Sequence, residues 1–197
     1  MDLAHLFAQY GSDKQQRHFL ADFYTELTDR SRDRPGALAE IGLRIPTVQA
    51  WQGGSLRAWA DWLPLFTIVG VDNDPDAIAA THIFTPRAHT ILADQSNPAD
   101  MAAALLTHAA AYDLIIDDGS HSPAHQAACF SELFQLLRPG GQYVIEDLLV
   151  HPADPPDFFD LLTQLAHVQI TRVARHFEPP AMDIHFHADA CAIRRLA

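Results

Sequence analysis

The chain has 197 residues, of which 48% are hydrophobic and 19% are charged, a composition typical of a globular domain. Its formal net charge of −12 disfavours a protein that neutralises nucleic-acid phosphates with Lys and Arg. No segment reaches the ~20 apolar residues that span a bilayer, and the N-terminus does not resemble a secretory signal. We therefore expect a cytoplasmic protein that binds neither nucleic acid nor membrane.

The N-terminal region is predicted to be helical. Apolar residues recur at helical spacing over 2–9 and 18–30, and the turn-rich sequence YGSDK lies between the two segments. A short apolar strand follows at 37–42, and GGS at 53–55 opens a helix that Pro64 ends. We expect one domain, in which residues 1–36 form a helical cap and residues 37–197 form the core.

Strands and helices alternate through the rest of the core. Strands are predicted at 66–75, 89–97, 112–119 and 140–148, and helices at 74–83, 98–110 and 122–137, with Pro139, Gly140 and Gly141 turning into the last of these strands. The strands are continuous apolar runs, which favours a parallel sheet covered by helices on both faces. We therefore predict an α/β, Rossmann-like, doubly wound sheet that is mostly parallel.

The C-terminal region follows a different pattern. Two strand-like runs, at 168–178 and 183–196, have no helix between them. They are expected to pair as an antiparallel hairpin at one edge of the sheet. Cys129 and Cys191 fall in a predicted helix and a predicted strand, which favours two free thiols over a disulfide.

Acidic residues end all five predicted parallel strands. They are Glu40, Asp72, Asp94, the pair Asp117 and Asp118, and the pair Glu146 and Asp147. Since the carboxyl ends of parallel strands meet at one edge of the sheet, ligand-binding groups collect there. Crowded carboxylates repel one another, so this edge is expected to hold a cation or many hydrogen-bond donors.

The acids on the second and third strands suit an adenosine compound. Asp72 is placed to accept hydrogen bonds from two ribose hydroxyls, with a helix-capping acid as the alternative. Asp94 and Gln95 are suited to binding an adenine edge. The loop after the first strand lacks a complete G-x-G-x-x-G, so a pyrophosphate site is not indicated, and a cofactor without phosphates is favoured over NAD.

The acids on the fourth and fifth strands suit a metal ion. Asp118, Glu146 and Asp147 follow strands that can be neighbours, and three carboxylates favour a hard divalent cation such as Mg²⁺; the alternative is a set of separate solvated acids. Asp117 points to the opposite face and is expected to shape the site. His121 could take a proton from a hydroxyl bound nearby; the alternative is a solvated loop residue.

Several segments together carry a resemblance to a known family. They are YGSDK (10–14) with His18 and Tyr24, LAEIG (38–42), GGSLRAWADWLP (53–64), GVDND (70–74), DLIIDDGSH (113–121) and LRPGGQYVIEDL (137–148). With them the chain resembles the class I S-adenosyl-L-methionine-dependent methyltransferases. Within these it is similar to the metal-dependent sugar O-methyltransferases of antibiotic biosynthesis, of mycinamicin type, and to the related cephalosporin hydroxylase-like proteins.

The resemblance implies a function and a set of site residues. It implies transfer of a methyl group to a hydroxyl of a small molecule, such as a sugar or another natural-product intermediate, with Mg²⁺ or Mn²⁺ on Asp118, Glu146 and Asp147 and with His121 as general base. The residues expected at the cofactor are Ser12, Lys14, Glu40, Gly42, Ser55, Asp72, Asp94, Gln95 and Asp117. Residues 43–52 lack the glycines usual in this loop. The alternative is a non-catalytic cofactor-binding or partner protein, and the sequence leaves the oligomeric state open, a homo-oligomer included.

Overall fold

The computed structural model describes residues 2–16, 19–43, 53–81, 85–148, 182–187 and 190–196. Three features of the sequence analysis lie outside the described residues: His18, most of the 43–52 loop, and the predicted strand at 168–178. Among the described helices, none has the length and apolar character needed to cross a membrane.

The described residues form one sheet of seven strands. The strands are β1 (Gly36–Ile41), β2 (Phe66–Asp72), β3 (Ala88–Leu92), β4 (Tyr112–Asp117), β5 (Leu137–Ile145), β6 (Met182–His187) and β7 (Ala190–Arg195). Their order is β3-β2-β1-β4-β5-β7-β6, with parallel pairing from β3 to β5 and antiparallel pairing of β7 with both β5 and β6. The predicted α/β sheet with an antiparallel hairpin at its edge is confirmed.

Helices surround this sheet, and some of them begin at a residue whose side chain caps the first turn. They are α1 (Leu3–Gln9), α2 (Asp13–Gln16), α3 (Ala21–Thr28), α4 (Gly54–Trp62), α5 (Pro75–Ala80), α6 (Pro98–Leu106) and α7 (Pro123–Leu133), with short 3-10 turns at Asp29–Ser31 and Phe134–Leu136. Asp74 caps α5 by accepting a hydrogen bond from the Asp76 amide, and Pro75 occupies the first helical position. This cap agrees with the sequence analysis.

Both faces of the central strands are buried, which explains their continuous apolar sequences. Leu38, Ile68 and Leu114 pack on one face against α1, α3 and α4. Alternate residues such as Ala39 and Val69 pack on the other face against α6 and α7. The core is therefore two apolar layers separated by the sheet.

Two cysteines lie in these layers as free thiols. Cys129 and Cys191 are buried and unpaired, as predicted. Burial raises the pKa of each thiol to about 12, so both behave as small apolar side chains.

One sequence prediction about the last strands needs new bounds, and a second is wrong. β5 begins at Leu137, which pairs with Tyr112, while Gln142 pairs with Leu114. Residues 138–141 therefore leave the regular ladder as a bulge inside the strand, at the residues where the sequence predicts a turn before it. Gly140 has φ +81°, a value that permits such a bulge. The run 183–196 is two strands, β6 and β7, which pair antiparallel with each other. The break between them was not predicted, because the sequence HADA at 187–190 contains no Gly, Pro or Asn.

Candidate active site

A cleft of ≈ 290 Å³ opens at the carboxyl edge of the five parallel strands. It brings together most of the residues predicted from the sequence: Ser12, Lys14, Gly42, Ser55, Asp72, Asp94, Gln95, Asp118, His121, Glu146 and Asp147. Two further predicted residues, Glu40 and Asp117, are completely buried and contact cleft residues instead of lining the cleft. The position of the cleft follows the rule that ligands bind beyond the carboxyl ends of strands.

The loops that follow the central strands are aligned by backbone hydrogen bonds beyond the sheet. The Asp118 amide donates to the carbonyl of Ile41 at 3.0 Å, and the Glu146 amide donates to the carbonyl of Asp117 at 3.0 Å. Gly42 has φ +90°, and a Cβ at this position would lie 2.0 Å from the Asp118 carbonyl oxygen. Only glycine therefore allows the loops after β1 and β4 to approach this closely.

The only lysine of the chain joins three acidic residues below the cleft. Lys14 Nζ lies 3.1 Å from Glu40 Oε1, 2.7 Å from Asp118 Oδ2 and 2.6 Å from Glu146 Oε1, and its exposure is 1%. The Tyr24 hydroxyl donates a second hydrogen bond to Glu146 Oε1. The short N-terminal helix α2 is thereby fixed to the ends of β1, β4 and β5.

Burial and charge act in opposite directions on this cluster. Burial by itself lowers the pKa of Lys14, but the carboxylates of Asp118, Glu146 and Glu40 outweigh it and raise this pKa well above its usual value. Burial also raises the pKa of Glu146 and of Glu40, against the lowering effect of Lys14. Lys14 was expected at the cofactor, and these ion pairs were not predicted, because Asp118 and Glu146 lie 104 and 132 residues away from Lys14 in the chain.

Asp118, His121 and Asp147 form a second group at the cleft. One ligand atom from each lies within 4.8 Å of the others, and His121 Nε2 is 3.3 Å from Asp147 Oδ2. In the described part of the chain, His121 Nδ1 is buried without a hydrogen-bond partner. Two carboxylates and an imidazole converging on one point can hold a divalent cation.

Backbone strain is concentrated in the same group. His121 has φ +54° and Asp147 has φ +56°, the left-handed region that non-glycine residues seldom occupy. Strain of this kind costs ~1–3 kcal/mol per residue and persists where surrounding structure enforces it, often at functional sites. The predicted third metal ligand, Glu146, lies beside this group and contacts Lys14 and Tyr24.

The two acids predicted at the adenosine also line the cleft. Asp72 accepts hydrogen bonds from the backbone amides of Leu43 at 2.8 Å and Asp74 at 2.9 Å, one on each oxygen. Asp94 accepts a hydrogen bond from the Ser96 amide at 2.8 Å, and hydrogen bonds from Ser96 lower the pKa of Asp94. Both carboxylates are therefore oriented by the backbone at the edge of the cleft.

Gln95 and Asp117 form a buried hydrogen-bonded pair behind the loop after β4. Gln95 Nε2 lies 2.6 Å from Asp117 Oδ1, and Gln95 Oε1 accepts from the Ser120 amide at 2.8 Å. The Tyr143 hydroxyl donates to Asp117 Oδ2 at 3.1 Å. Burial raises the pKa of Asp117 to about 6, against the lowering effect of these hydrogen bonds.

Comparison with known proteins connects this site to a family. The family described as "Methyltransferase domain" matches residues 48–148, which is more than half of the chain. The chain belongs to this family. It is 42% identical over 149 residues to 8-demethyl-8-alpha-L-rhamnosyl tetracenomycin-C 2'-O-methyltransferase of Streptomyces olivaceus, and 34% identical over 148 residues to mycinamicin VI 2''-O-methyltransferase of Micromonospora griseorubida. These alignments cover 74% and 75% of this methyltransferase chain, but 37% and 36% of those two enzymes.

Solved structures extend the similarity to the whole chain. The MycE methyltransferase, in complex with Mg, SAH and mycinamycin VI, has a TM-score of 0.82 and 27% identity; the match covers 100% of this chain and 55% of MycE. The plantazolicin methyltransferase BpumL, in complex with SAH, has a TM-score of 0.62 at 14% identity and shows the shared fold alone. The class I methyltransferase fold expected from the sequence is thus confirmed, and this domain spans little more than a third of the two sugar methyltransferases it matches.

Proposed function

We propose that this domain transfers a methyl group from S-adenosyl-L-methionine to a hydroxyl of a small-molecule acceptor, with Mg²⁺ or Mn²⁺ as second cofactor. The observation that carries the proposal is the convergence of Asp118, His121 and Asp147 in one cleft with Asp72. The acceptor class is a sugar, in keeping with the rhamnosyl and macrolide sugar methyltransferases that the chain resembles.

The adenosine cofactor is proposed to lie along the ends of β1, β2 and β3. Asp72 accepts hydrogen bonds from its ribose hydroxyls, since acids in this position of Rossmann-like folds have that role. Gly42 and Ser55 lie near its methionine part, and Asp94 lies on the adenine side. The wall of the cleft opposite these strands is supplied by Ser12 and Lys14 of the N-terminal segment.

The described residues fit a divalent cation. Asp118 and Asp147 would hold it with carboxylate oxygens, the ligands that Mg²⁺ prefers, and Glu146 remains the predicted third ligand. His121 belongs to the same group, with ligand atoms within 4.8 Å of one another. A divalent cation supplies positive charge that lowers the pKa of an acceptor hydroxyl and orients it.

The side chains of the site then account for the proton and the methyl group. A neutral His121 ring takes the hydroxyl proton, and the Asp147 carboxylate, 3.3 Å from Nε2, stabilises the imidazolium that results. The acceptor oxygen attacks the sulfonium methyl, so that an O–C bond forms as the S–C bond breaks and S-adenosylhomocysteine is released. The acidic walls of the cleft favour binding of the cationic sulfonium cofactor over binding of the neutral thioether product.

The experiment is incubation with radiolabelled S-adenosyl-L-methionine, Mg²⁺ and a panel of rhamnosides, other glycosides and phenols. We expect label in a glycoside, loss of transfer in EDTA, and recovery on adding Mg²⁺ or Mn²⁺. Binding of S-adenosylhomocysteine without transfer to any acceptor would favour the non-catalytic alternative. Full transfer in EDTA would contradict the metal role.

Two variants separate binding from catalysis. Removal of the proton acceptor in His121→Ala should lower kcat by about 10²–10⁴-fold and leave S-adenosylhomocysteine affinity unchanged. Asp72→Ala should instead weaken that affinity by about 1.5–3 kcal/mol, measured by calorimetry. If His121→Ala keeps more than about a third of kcat, far above the loss expected of a general base, the base assignment is wrong.

A further inference from the structure

We propose that Gln95 is a positioning residue, which holds the loop carrying Asp118 and His121 in the geometry that the reaction needs. This inference rests on the proposed function, since it assigns Gln95 a role in that same site. It differs from the expectation that Gln95 binds the adenine edge. The loop in question, Asp118–His121, follows β4.

The amide of Gln95 bridges a buried carboxylate and the backbone of this loop. Its Nε2 lies 2.6 Å from Asp117 Oδ1, its Oε1 lies 2.8 Å from the Ser120 nitrogen, and its exposure is 6%. An ionised carboxylate only accepts hydrogen bonds, and a backbone amide only donates them. The orientation of the Gln95 amide is thereby fixed by its two partners.

Few other side chains satisfy both partners. Glutamate in its ionised form cannot donate to Asp117, and the ammonium of a lysine cannot accept from Ser120. Only a side chain with one donor and one acceptor at its end, at the length of Gln95, spans the gap. The residue type therefore matches a bridging role.

The far end of the bridge is rigid. Asp117 ends β4 and has 0% exposure, and its other oxygen accepts from the hydroxyl of Tyr143 on β5. Gln95 itself follows β3, and its carbonyl accepts a hydrogen bond from the Cys129 thiol at 3.5 Å. Through Gln95 the loop is thus connected to β4, β5 and α7.

The near end of the bridge lies where the loop is strained. A Cβ on Gly119 would lie 2.5 Å from Gln95 Oε1, so the loop packs directly on the amide. His121 follows Ser120 and has φ +54°, a conformation that surrounding structure must enforce. A second contact, between Ser120 Oγ and His125 Nδ1 at 2.9 Å, lies on the outer side of the loop.

The competing role is a contact between Gln95 and adenine. One N–H and one lone pair of the amide remain after the two hydrogen bonds described above. A positioning role affects the metal site and kcat, whereas an adenine contact affects cofactor affinity. The two roles are separated by measuring these quantities in one variant.

The test uses Gln95→Met, which keeps the length of the side chain and removes its donor and acceptor. We expect kcat at saturating cofactor and Mn²⁺ affinity, measured by electron paramagnetic resonance, to fall by about 10–100-fold, the usual effect of losing a group that orients metal ligands. The affinity for S-adenosylhomocysteine should stay within about twofold, since no adenine contact is lost on this view. Hydrogen exchange of the Ser120 amide should accelerate by about tenfold, as expected for one lost hydrogen bond.

The control is Tyr112→Phe, which removes a buried hydrogen bond of 2.7 Å to the Leu105 carbonyl, away from the cleft. It should lower stability without changing kcat, Mn²⁺ affinity or Ser120 exchange. Weaker S-adenosylhomocysteine binding by Gln95→Met with unchanged kcat would overturn the proposal in favour of adenine binding. Unchanged kcat and Ser120 exchange would also overturn it.

Two outcomes distinguish this inference from the proposed function. If the wild type transfers no methyl group, the proposed function fails, whereas Ser120 exchange still reports whether Gln95 holds the loop. If Gln95→Met does not fold, exchange in the wild type decides: a Ser120 amide that exchanges as fast as a solvent-exposed one would overturn the proposal, and a protected one supports it.

Discussion

Replacing Asp117 by Asn should make the protein more stable than wild type at neutral pH, and this advantage should shrink toward acid pH. The carboxylate has 0% exposure, and burial raises its pKa from 3.8 to about 6. An asparagine keeps the shape of the side chain and can accept the hydrogen bond from Gln95. It has no charge, so it avoids the cost of burying one.

The magnitude follows from the pKa. A group whose pKa is raised on folding contributes stability below its unfolded pKa and loses it as the pH rises through its folded pKa. The shift of about two units corresponds to about 3 kcal/mol in full. As the pH rises from about 4.5 to about 7.5, the free energy of unfolding of wild type should therefore fall by about 2 kcal/mol relative to that of Asp117→Asn.

The assay is urea unfolding of both proteins across this pH range in EDTA, so that no metal ion changes the nearby charges. The quantity of interest is the difference between their free energies of unfolding, because other titrating groups contribute equally to both. Asp94→Asn is the control, because hydrogen bonds from Ser96 lower the pKa of Asp94. Wild type should therefore lose no stability relative to Asp94→Asn as the pH rises through this range. A difference that stays constant with pH would refute the reasoning, since it would mean that hydrogen bonds to Asp117 fully offset its burial.

Other substitutions test further features of the site and fold, all by urea unfolding at neutral pH. Gly42→Ala should destabilise by about 2–4 kcal/mol, because a Cβ would lie 2.0 Å from the Asp118 carbonyl at φ +90°; an unchanged midpoint would contradict this contact. Lys14→Met should cost about 3–5 kcal/mol, since it leaves buried carboxylates without their cation; a stabilised variant would show that the ion pairs are dispensable. Asp113→Ala should cost about 1.5–3 kcal/mol, because Asp113 accepts from the Ala37 amide at 3.0 Å and pairs with Arg34 at 2.7 Å; a loss below ~0.5 kcal/mol, the usual range of surface substitutions, would contradict that estimate.

The order of strands and helices is encoded locally and could be predicted. Each parallel strand is a run of mostly apolar residues with an acid at or near its end, and the helices after β2, β3 and β4 start at a polar residue followed by proline, as at Asn97 and Pro98. A strand buried on both faces must be apolar at consecutive positions, so its pattern predicts a parallel sheet without knowledge of its neighbours. The acids at the strand ends then predict the edge that carries the site.

The breaks within the last strands could be predicted only in part. The bulge at 138–141 is defined by which residues of β5 oppose Asp113, and this depends on the pairing of two strands rather than on either sequence alone. The sequence between β6 and β7 has no glycine or proline to mark a break. Local sequence therefore identified strand character in both regions, but it marked the bend in only one of them.

The sequence by itself determined which acids reach the edge of the sheet, because strand length and polarity are local properties. Only the tertiary structure decided what each acid contacts there. Asp117 and Asp118 are adjacent in the chain, yet one bonds to Gln95 and Tyr143 in the core and the other faces the cleft with Lys14. Lys14 meets Glu146 across 132 residues of chain, a contact that exists only because β1, β4 and β5 are neighbours and α2 packs over their ends. A buried charge requires a partner, and the fold selects that partner through strand order, which no local pattern records.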